Sequence, residues 1–235
     1  MAFCVEDWQV ARNETPLFAP LFFQLDPGQL LWVRGPNGVG KTTLLMSLAG
    51  VLSPVSGQAY WSHPGSVSDT EPFHLRPLPQ NQLAWFGDVC PIKPSLSVLD
   101  NLHYLRRLFC LGTSQSYVSV SLHVLKASLK QFSLHHLRHV CADRLSLGQK
   151  KRLCLAAFQF NPCPIWLMDE PSVGLDLAGQ ATLTELISAH LAQNHWVVIT
   201  SHDAFWDKVP AVASKVQSLW LEPTADELKS LGREE

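Results

Sequence analysis

The sequence predicts an α/β fold with a mainly parallel sheet core and an inserted helical subdomain. Residues 29–35, QLLWVRG, form a short apolar run after Pro27-Gly28 and pass directly into GPNGVGKTTLLMSLAG, which reads as strand, glycine-rich turn and helix, half of a βαβ unit. Two later apolar runs, Ile165–Met168 and Trp196–Thr200, are short, partly β-branched and bounded by turn or polar residues, the pattern of buried parallel strands. Between them and the first unit, over residues 97–140, the apolar period becomes helical.

Within that block, Leu99, Leu102, Leu105, Leu108 and Phe109 fall on one helix face, and Ser97 with Asp100 forms an S-x-x-D capping box at its start. A second stripe, Leu122, Leu125, Leu129, Phe132 and Val140, follows a turn over residues 112–116. Residues 62–82 are polar and carry Pro64, Pro72, Pro77 and Pro79, so they read as a surface insertion in which neither strand nor helix persists. No internal repeat is visible. We expect one domain over residues 1–235, with about 1–90 and 150–235 forming the β core and about 91–150 the helical subdomain.

The chain has 235 residues, 46% of them apolar, and only 16% charged, which excludes a disordered acidic or basic tail. A net charge of −2 supplies no basic field for a nucleic acid, so no such partner is expected. Eight tryptophans and few charges point to a surface partly covered by a partner. No window reaches the 18 or so apolar residues of a membrane span, the apolar stretch at 17–23 being broken by Pro20. The N-terminal MAFCVEDWQV reads as neither a signal nor a transit peptide. Six cysteines, Cys4, Cys90, Cys110, Cys141, Cys154 and Cys163, lie without C-x-x-C spacing, which fits a reducing compartment without disulfides or structural zinc.

Gly35, Pro36, Asn37, Gly38, Val39, Gly40, Lys41 and Thr42 satisfy G-x-x-x-x-G-K-[ST], and Thr43 continues into the helix. Glycines let backbone N–H groups turn inward around α- and β-phosphates at a helix N-terminus. Lys41 is placed for the β- and γ-oxygens, and the Thr42 hydroxyl for Mg²⁺, so ATP and Mg²⁺ are the expected ligands. Asp169-Glu170 closes the strand IWLM at the carboxyl end of a parallel sheet, where ligands of open α/β sheets collect. Asp169 suits the Mg²⁺ shell, directly or through water, and Glu170 suits a general base acting on the attacking water. His202 follows WVVITS and is within plausible reach of a γ-phosphate; by itself such a histidine is more often structural.

The string LSLGQKKRLCLA at 145–156 resembles the signature motif of ATP-binding cassette ATPases, usually LSGGQ followed by a basic helix. With GPNGVGKTT before it, IWLMDEP, SVGLD at 172–176 and ITSHD after it, the order and spacing are similar to that family across nearly the whole chain. The resemblance implies the P-loop NTPase fold of that ATPase type, with an antiparallel β edge beside the mainly parallel core, and ATP hydrolysis. It also implies a head-to-tail pair of cassettes, a homodimer, in which the P-loop of one subunit and the signature of the other enclose each ATP. Carried over by position, Glu170 is the general base, His202 a γ-phosphate contact, and Asp176 the subunit-coupling aspartate. Ser146, Leu147, Gly148 and Gln149 form the signature that acts in trans. The same signature also reads as a helix N-cap beside a favourable dipole.

Two departures stand out. Where the family carries a glutamine between sheet and helical lobe, Val89 is aligned, with Asp88 as the neighbouring candidate; either Asp88 substitutes or hydrolysis is slow. No aromatic stands where one usually stacks on adenine, and Arg12 or Trp8 is the residue nearest that role. Within the family, LAGVLSPVSGQAYW and IKPSLSVLDNLHYLRRL are most similar to ATP-binding subunits of cytochrome c maturation haem exporters. That resemblance implies integral membrane subunits as partners and a place at the cytoplasmic face of a bacterial inner membrane or the matrix face of the mitochondrial one. It also implies ATP-driven release of a haem-loaded chaperone. Cys90-Pro91 and Cys163-Pro164 resemble haem-binding dipeptides but are read as cysteines beside turn prolines. His135, His136 and His139 are read as a solvated helix face rather than a metal site.

Overall fold

The structure, a computed structural model, describes residues 2–62, 82–87, 89–109, 120–201, 206 and 214–224. Strands β1 (Ala2–Gln9), β2 (Ala11–Arg12), β3 (Thr15–Pro16), β4 (Leu21–Leu25) and β5 (Leu30–Arg34) lead to helix α1 (Lys41–Leu48). Next come β6 (Ser56–Ser62), β7 (Leu83–Phe86), α2 (Val98–Phe109), α3 (Leu122–Gln131) and α4 (Leu147–Phe158). The chain ends on β8 (Ile165–Met168), α5 (Leu177–Leu191), β9 (Trp196–Thr200) and β10 (Val216–Trp220).

Five strands form a wholly parallel sheet in the order β10-β5-β9-β8-β7. Its inner strands β5, β9 and β8 are apolar on both faces, and their successive side chains feed two different cores, as the period of two requires, whereas the edge strand β10 exposes Gln217 and Ser218. Leu30, Trp32, Trp166, Met168, Val197 and Ile199 pack with the helices α2, α3 and α4. Leu31, Val33, Ile165, Leu167 and Val198 pack with α1 and a second sheet. That second sheet is the expected antiparallel edge: β4-β1-β6, a separate three-stranded layer.

The helical block departs from the sequence pattern at its second half. In α2, Leu102 and Leu105 are buried as the period predicts, Leu99, Leu108 and Phe109 of the same stripe are half-buried, Val98 is buried outside it, and Asp100 N–H donates to Ser97 Oγ at 3.1 Å. Helix α3 buries Leu125 and Leu129, but Leu122 is exposed and the helix ends at Gln131. Ser133 then adopts φ 57°, which turns the chain away. Val140 therefore lies outside the helix, and its carbonyl accepts the Val98 amide. His135 and His136 sit in a 3₁₀ turn, His135–Leu137, so the expected helix face carrying them with His139 does not form. No group of three metal-ligating side chains occurs among the described residues.

The cysteine reading also needs correction. Cys90, between β7 and α2, meets Cys154 of α4 sulfur to sulfur across a Cα–Cα distance of 6.2 Å, although 64 residues separate them. Pairs so distant in sequence leave no spacing signal. Among the described residues, Cys4 and Cys141 form no disulfide. The proline-rich surface insertion lies mostly outside the described residues. On the far side of the core, His190 of α5 stacks on Trp166 at 3.6 Å, and burial pushes its pKa down to about 3, with nearby His195 adding to the shift.

Candidate functional site

The site forms at the carboxyl ends of β5, β9 and β8. β5 delivers residues 35–40 as a loop in which Gly35, Gly38 and Gly40 all have positive φ. Gly40, at φ 100°, is the N-cap of α1 and has no side chain to satisfy the first amides of the helix. Its φ favours glycine, and a Cβ there would sit 2.9 Å from Leu17 Cδ1, so that buried side chain would have to shift. The first intrahelical bond runs from Leu44 N–H to Gly40 C=O, which leaves the amides of Lys41, Thr42 and Thr43 pointing out of the helix end. Pro36 and Asn37 are exposed on the loop, and Val39 is buried beneath it.

Lys41 is buried at 7% exposure and folds back over the loop, its ammonium donating to the carbonyls of Gly35 and Pro36, each at 2.9 Å. Burial holds its pKa below the usual lysine range, against the opposing pull of the Glu170 and Asp169 carboxylates. Thr42 Oγ1 donates to Asp169 Oδ2 at 2.8 Å across 127 residues of sequence.

Asp169 is placed by its own amide, which donates to Phe86 C=O of β7 at 2.8 Å. Its second oxygen, Oδ1, accepts the hydroxyl of Thr200 at 2.6 Å, and that same Thr200 Oγ1 accepts the Glu170 amide at 3.0 Å. Thr200, fully buried, is the last residue of β9, which runs between β5 and β8. Glu170 adopts φ 45°, and its carbonyl accepts the Lys151 ammonium at 2.6 Å.

Ser146 caps α4: its Oγ accepts the Gln149 amide at 3.3 Å, and Gln149 Oε1 accepts the Ser146 amide at 2.9 Å, a complete capping box. Among the described residues, no hydrogen bond joins Ser146 or Gln149 to residues 35–43. Leu147 is 83% exposed. Gly148 lies so close to the 172–176 segment that a Cβ would meet Gly174 C=O at 2.6 Å. Asp176 caps α5, its Oδ1 accepting the Gly179 amide at 2.8 Å.

The structure thus gathers Lys41, Thr42, Asp169 and Glu170, and sets the first turn of α4 beside the segment that follows Glu170. His202 and Asp88 lie outside the described residues. Val89 is 88% exposed. Trp8 is buried in β1 and is not available to a base, whereas Arg12 is exposed on the β2–β3 hairpin that precedes Leu17. Sequence reasoning missed Thr200 and Lys151. The signal for Thr200 is a polar residue closing an apolar strand, and for Lys151 a basic run after an N-cap.

A family model described as ABC transporter matches residues 18–173. The chain is 36% identical over 214 residues to the cytochrome c biogenesis ATP-binding export protein CcmA of Xanthomonas axonopodis pv. citri, covering 91% of each chain. It is 34% identical to a protein of the same description, CcmA 2, from Salmonella paratyphi A, covering 92% of this chain and 94% of that one. The Rhodospirillum rubrum CcmA is 36% identical, with 85% of this chain and 79% of that one covered. Among solved structures, the ADP conformation of an ATP-binding cassette of an ABC transporter superposes with a TM-score of 0.67 at 19% identity, covering 98% and 94% of the two chains. A nucleotide-free cassette does so with 0.67 at 18%, covering 99% and 96%. No helix of the described residues is long and apolar enough to cross a membrane. A glycine-cradled lysine, a threonine on the strand-end aspartate and a capped signature helix, found together with these likenesses, place the chain in the ABC transporter family as one of its ATP-binding, ATP-hydrolysing cassettes.

Proposed function

We propose that this chain is the ATPase of a cytochrome c biogenesis exporter, working as a pair of cassettes on integral membrane subunits that carry the cargo. It would lie at the inner face of a bacterial inner membrane or the matrix face of the mitochondrial one. The reading of cargo is supported by the relatives' names, and a haem-loaded chaperone is the cargo class it takes. The reading of chemistry rests on one observation above all: Thr42 and Asp169, far apart in sequence, share a 2.8 Å hydrogen bond at the sheet's carboxyl edge.

The outward amides at the start of α1 bind the α- and β-phosphates, and Lys41 exchanges its two carbonyl partners for β- and γ-oxygens. Thr42 Oγ1 and Asp169 Oδ2 are hard oxygen donors side by side, a set that fits Mg²⁺. Mg²⁺, when bound there, neutralises charge on the phosphates. Glu170 takes a proton from the water that attacks the γ-phosphorus, and His202 contacts the γ-phosphate. The bond to the β-γ bridging oxygen breaks, giving ADP and phosphate. Ser146 Oγ, already accepting from Gln149, still has its hydroxyl proton to donate, so with the Gly148 amide it can close over the nucleotide of a partner cassette, while Asp176 couples the two subunits.

Glu170→Gln keeps the cradle and removes the base, so it should accumulate an ATP-bound dimer that sedimentation resolves. A variant that stays monomeric in saturating Mg-ATP refutes the paired mechanism. A second reading, a cassette that closes on ATP but turns over slowly, is favoured by the exposed apolar Val89 where the family has glutamine. On that reading wild type and Glu170→Gln turn over alike, and Val89→Gln raises the rate.

A further inference from the structure

Glu170 has φ 45°, although it is neither glycine nor asparagine and Pro171 follows it. Both facts work against that backbone: left-handed geometry is costly for a residue with a Cβ, and a following proline favours an extended one. Such a conformation persists only where surrounding contacts over-determine it. Three contacts hold it here, one of them local: within the turn itself the Val173 amide donates to the Glu170 carbonyl at 3.3 Å. On the sheet side, Thr200 Oγ1 accepts the Glu170 amide at 3.0 Å. On the helical side, the Lys151 ammonium donates to the Glu170 carbonyl at 2.6 Å, a charge-assisted bond of the stronger kind.

We propose that Lys151 is a positioning residue for hydrolysis: its bond to the Glu170 carbonyl holds the left-handed turn that aims the Glu170 carboxylate, so the base is set only while α4 is seated. The proposal rests on the reading of Glu170 as general base. Lys151 lies one and a half turns along α4 from the Ser146 cap, on the helix whose first turn already presses Gly148 against the Gly174 carbonyl. α4 therefore touches both ends of the short segment 170–174. With Lys151 shortened or uncharged, the Glu170 carbonyl keeps only the longer bond from the Val173 amide, and the residue relaxes toward the extended backbone that Pro171 favours, which swings the carboxylate away. Lys151 belongs to α4 and not to the phosphate cradle at residues 35–43, so its loss should leave nucleotide binding unaffected.

The test is steady-state ATP hydrolysis by the full chain with its co-purifying membrane subunits, in parallel with nucleotide binding and thermal melting. Lys151→Met should lower kcat at least tenfold while the KM for ATP stays within twofold and the bound nucleotide fraction is unchanged. Lys151→Arg, which keeps a long cationic donor, should restore kcat to within threefold of wild type. Lys150→Met, one residue away, should stay within twofold. Lys151→Met with wild-type kcat overturns the proposal, as does a loss in which KM, melting temperature and kcat all shift together or one that Lys151→Arg fails to rescue. Glu170→Gln runs beside these: if it keeps wild-type turnover, the reading of Glu170 as base has failed, whereas a dead Glu170→Gln beside a fully active Lys151→Met fails the Lys151 proposal alone.

Discussion

Thr200→Val removes one oxygen and almost nothing else. Valine keeps the branched shape and strand preference of threonine, so β9 should stay in place between β5 and β8. The lost hydroxyl is fully buried and serves two groups: it donates to Asp169 Oδ1 at 2.6 Å and accepts the Glu170 amide at 3.0 Å. A hydrogen bond to a charged group contributes about 1.5–3 kcal/mol, and a buried amide left without its acceptor costs about 1–3 kcal/mol. The two losses share one atom and will not add fully, so about 3 kcal/mol is the expected destabilisation. For a chain of this size that lowers the melting temperature by roughly 6–12 °C. If half of it falls on the placement of Asp169 and Glu170 in the transition state, kcat drops about tenfold, since about 1.4 kcal/mol is a factor of ten. Thr200→Ser keeps the hydroxyl and should lose far less of both. Differential scanning fluorimetry and a phosphate-release assay read the pair, and a Thr200→Val protein with wild-type melting and turnover refutes the argument that this oxygen organises the site.

Gly148→Ala puts a methyl 2.6 Å from the Gly174 carbonyl, with backbone on both sides, so α4 must lift from the 172–176 segment. We expect about 1–3 kcal/mol of overpacking and a weaker ATP-dependent dimer by sedimentation. An unchanged dimer would show that the first turn of α4 has room to spare. His190 is neutral in the fold, with a value of about 3 against 6.5 when exposed, so between those limits the unfolded chain binds a proton that the native one does not. Stability should be level above pH 6.5 and fall as the solution is acidified, by about 2 kcal/mol at pH 5. Urea titrations of wild type and His190→Phe at pH 7 and 5 measure the difference, which the phenylalanine variant should largely lack.

What the sequence made legible was local. The glycine loop, Lys41 and Thr42 lie within eight residues, and Asp169-Glu170 directly follows an apolar run, so spacing alone identifies them. What it hid was non-local or conformational. Thr200 reads as a strand end, and its link to Asp169 exists only because β9 lies between β5 and β8, an order that no run of residues displays. Lys151 reads as one of three basic residues on a helix, and only the fold brings one of them to the Glu170 carbonyl. The helical stripe through Leu122 and Val140 failed because Ser133 turns at φ 57° without a glycine to announce it. Trp8, the nearest aromatic to the missing adenine contact, is consumed by the core, and the meeting of Cys90 with Cys154 spans 64 residues.

The strand order also explains why a threonine at this place is more than a convenient acceptor. With β9 between them, β5 and β8 stand two strand spacings apart, about 9–10 Å, so the glycine loop and Asp169 cannot meet by backbone contact. Thr42 crosses from the side of α1 to one oxygen of Asp169, and Thr200 rises from β9 to the other, so the carboxylate is held from two directions. In the parallel register Thr200 pairs with Val33, and Ile199 with Met168. A slip of one residue would turn Thr200 to the opposite face of the sheet and set Ile199 or Ser201 at its place. β9 is buried on both faces, with Val197 and Ile199 in one core and Trp196 and Val198 in the other, so the fit of these side chains to their two cores holds the register that sets Thr200 at the site.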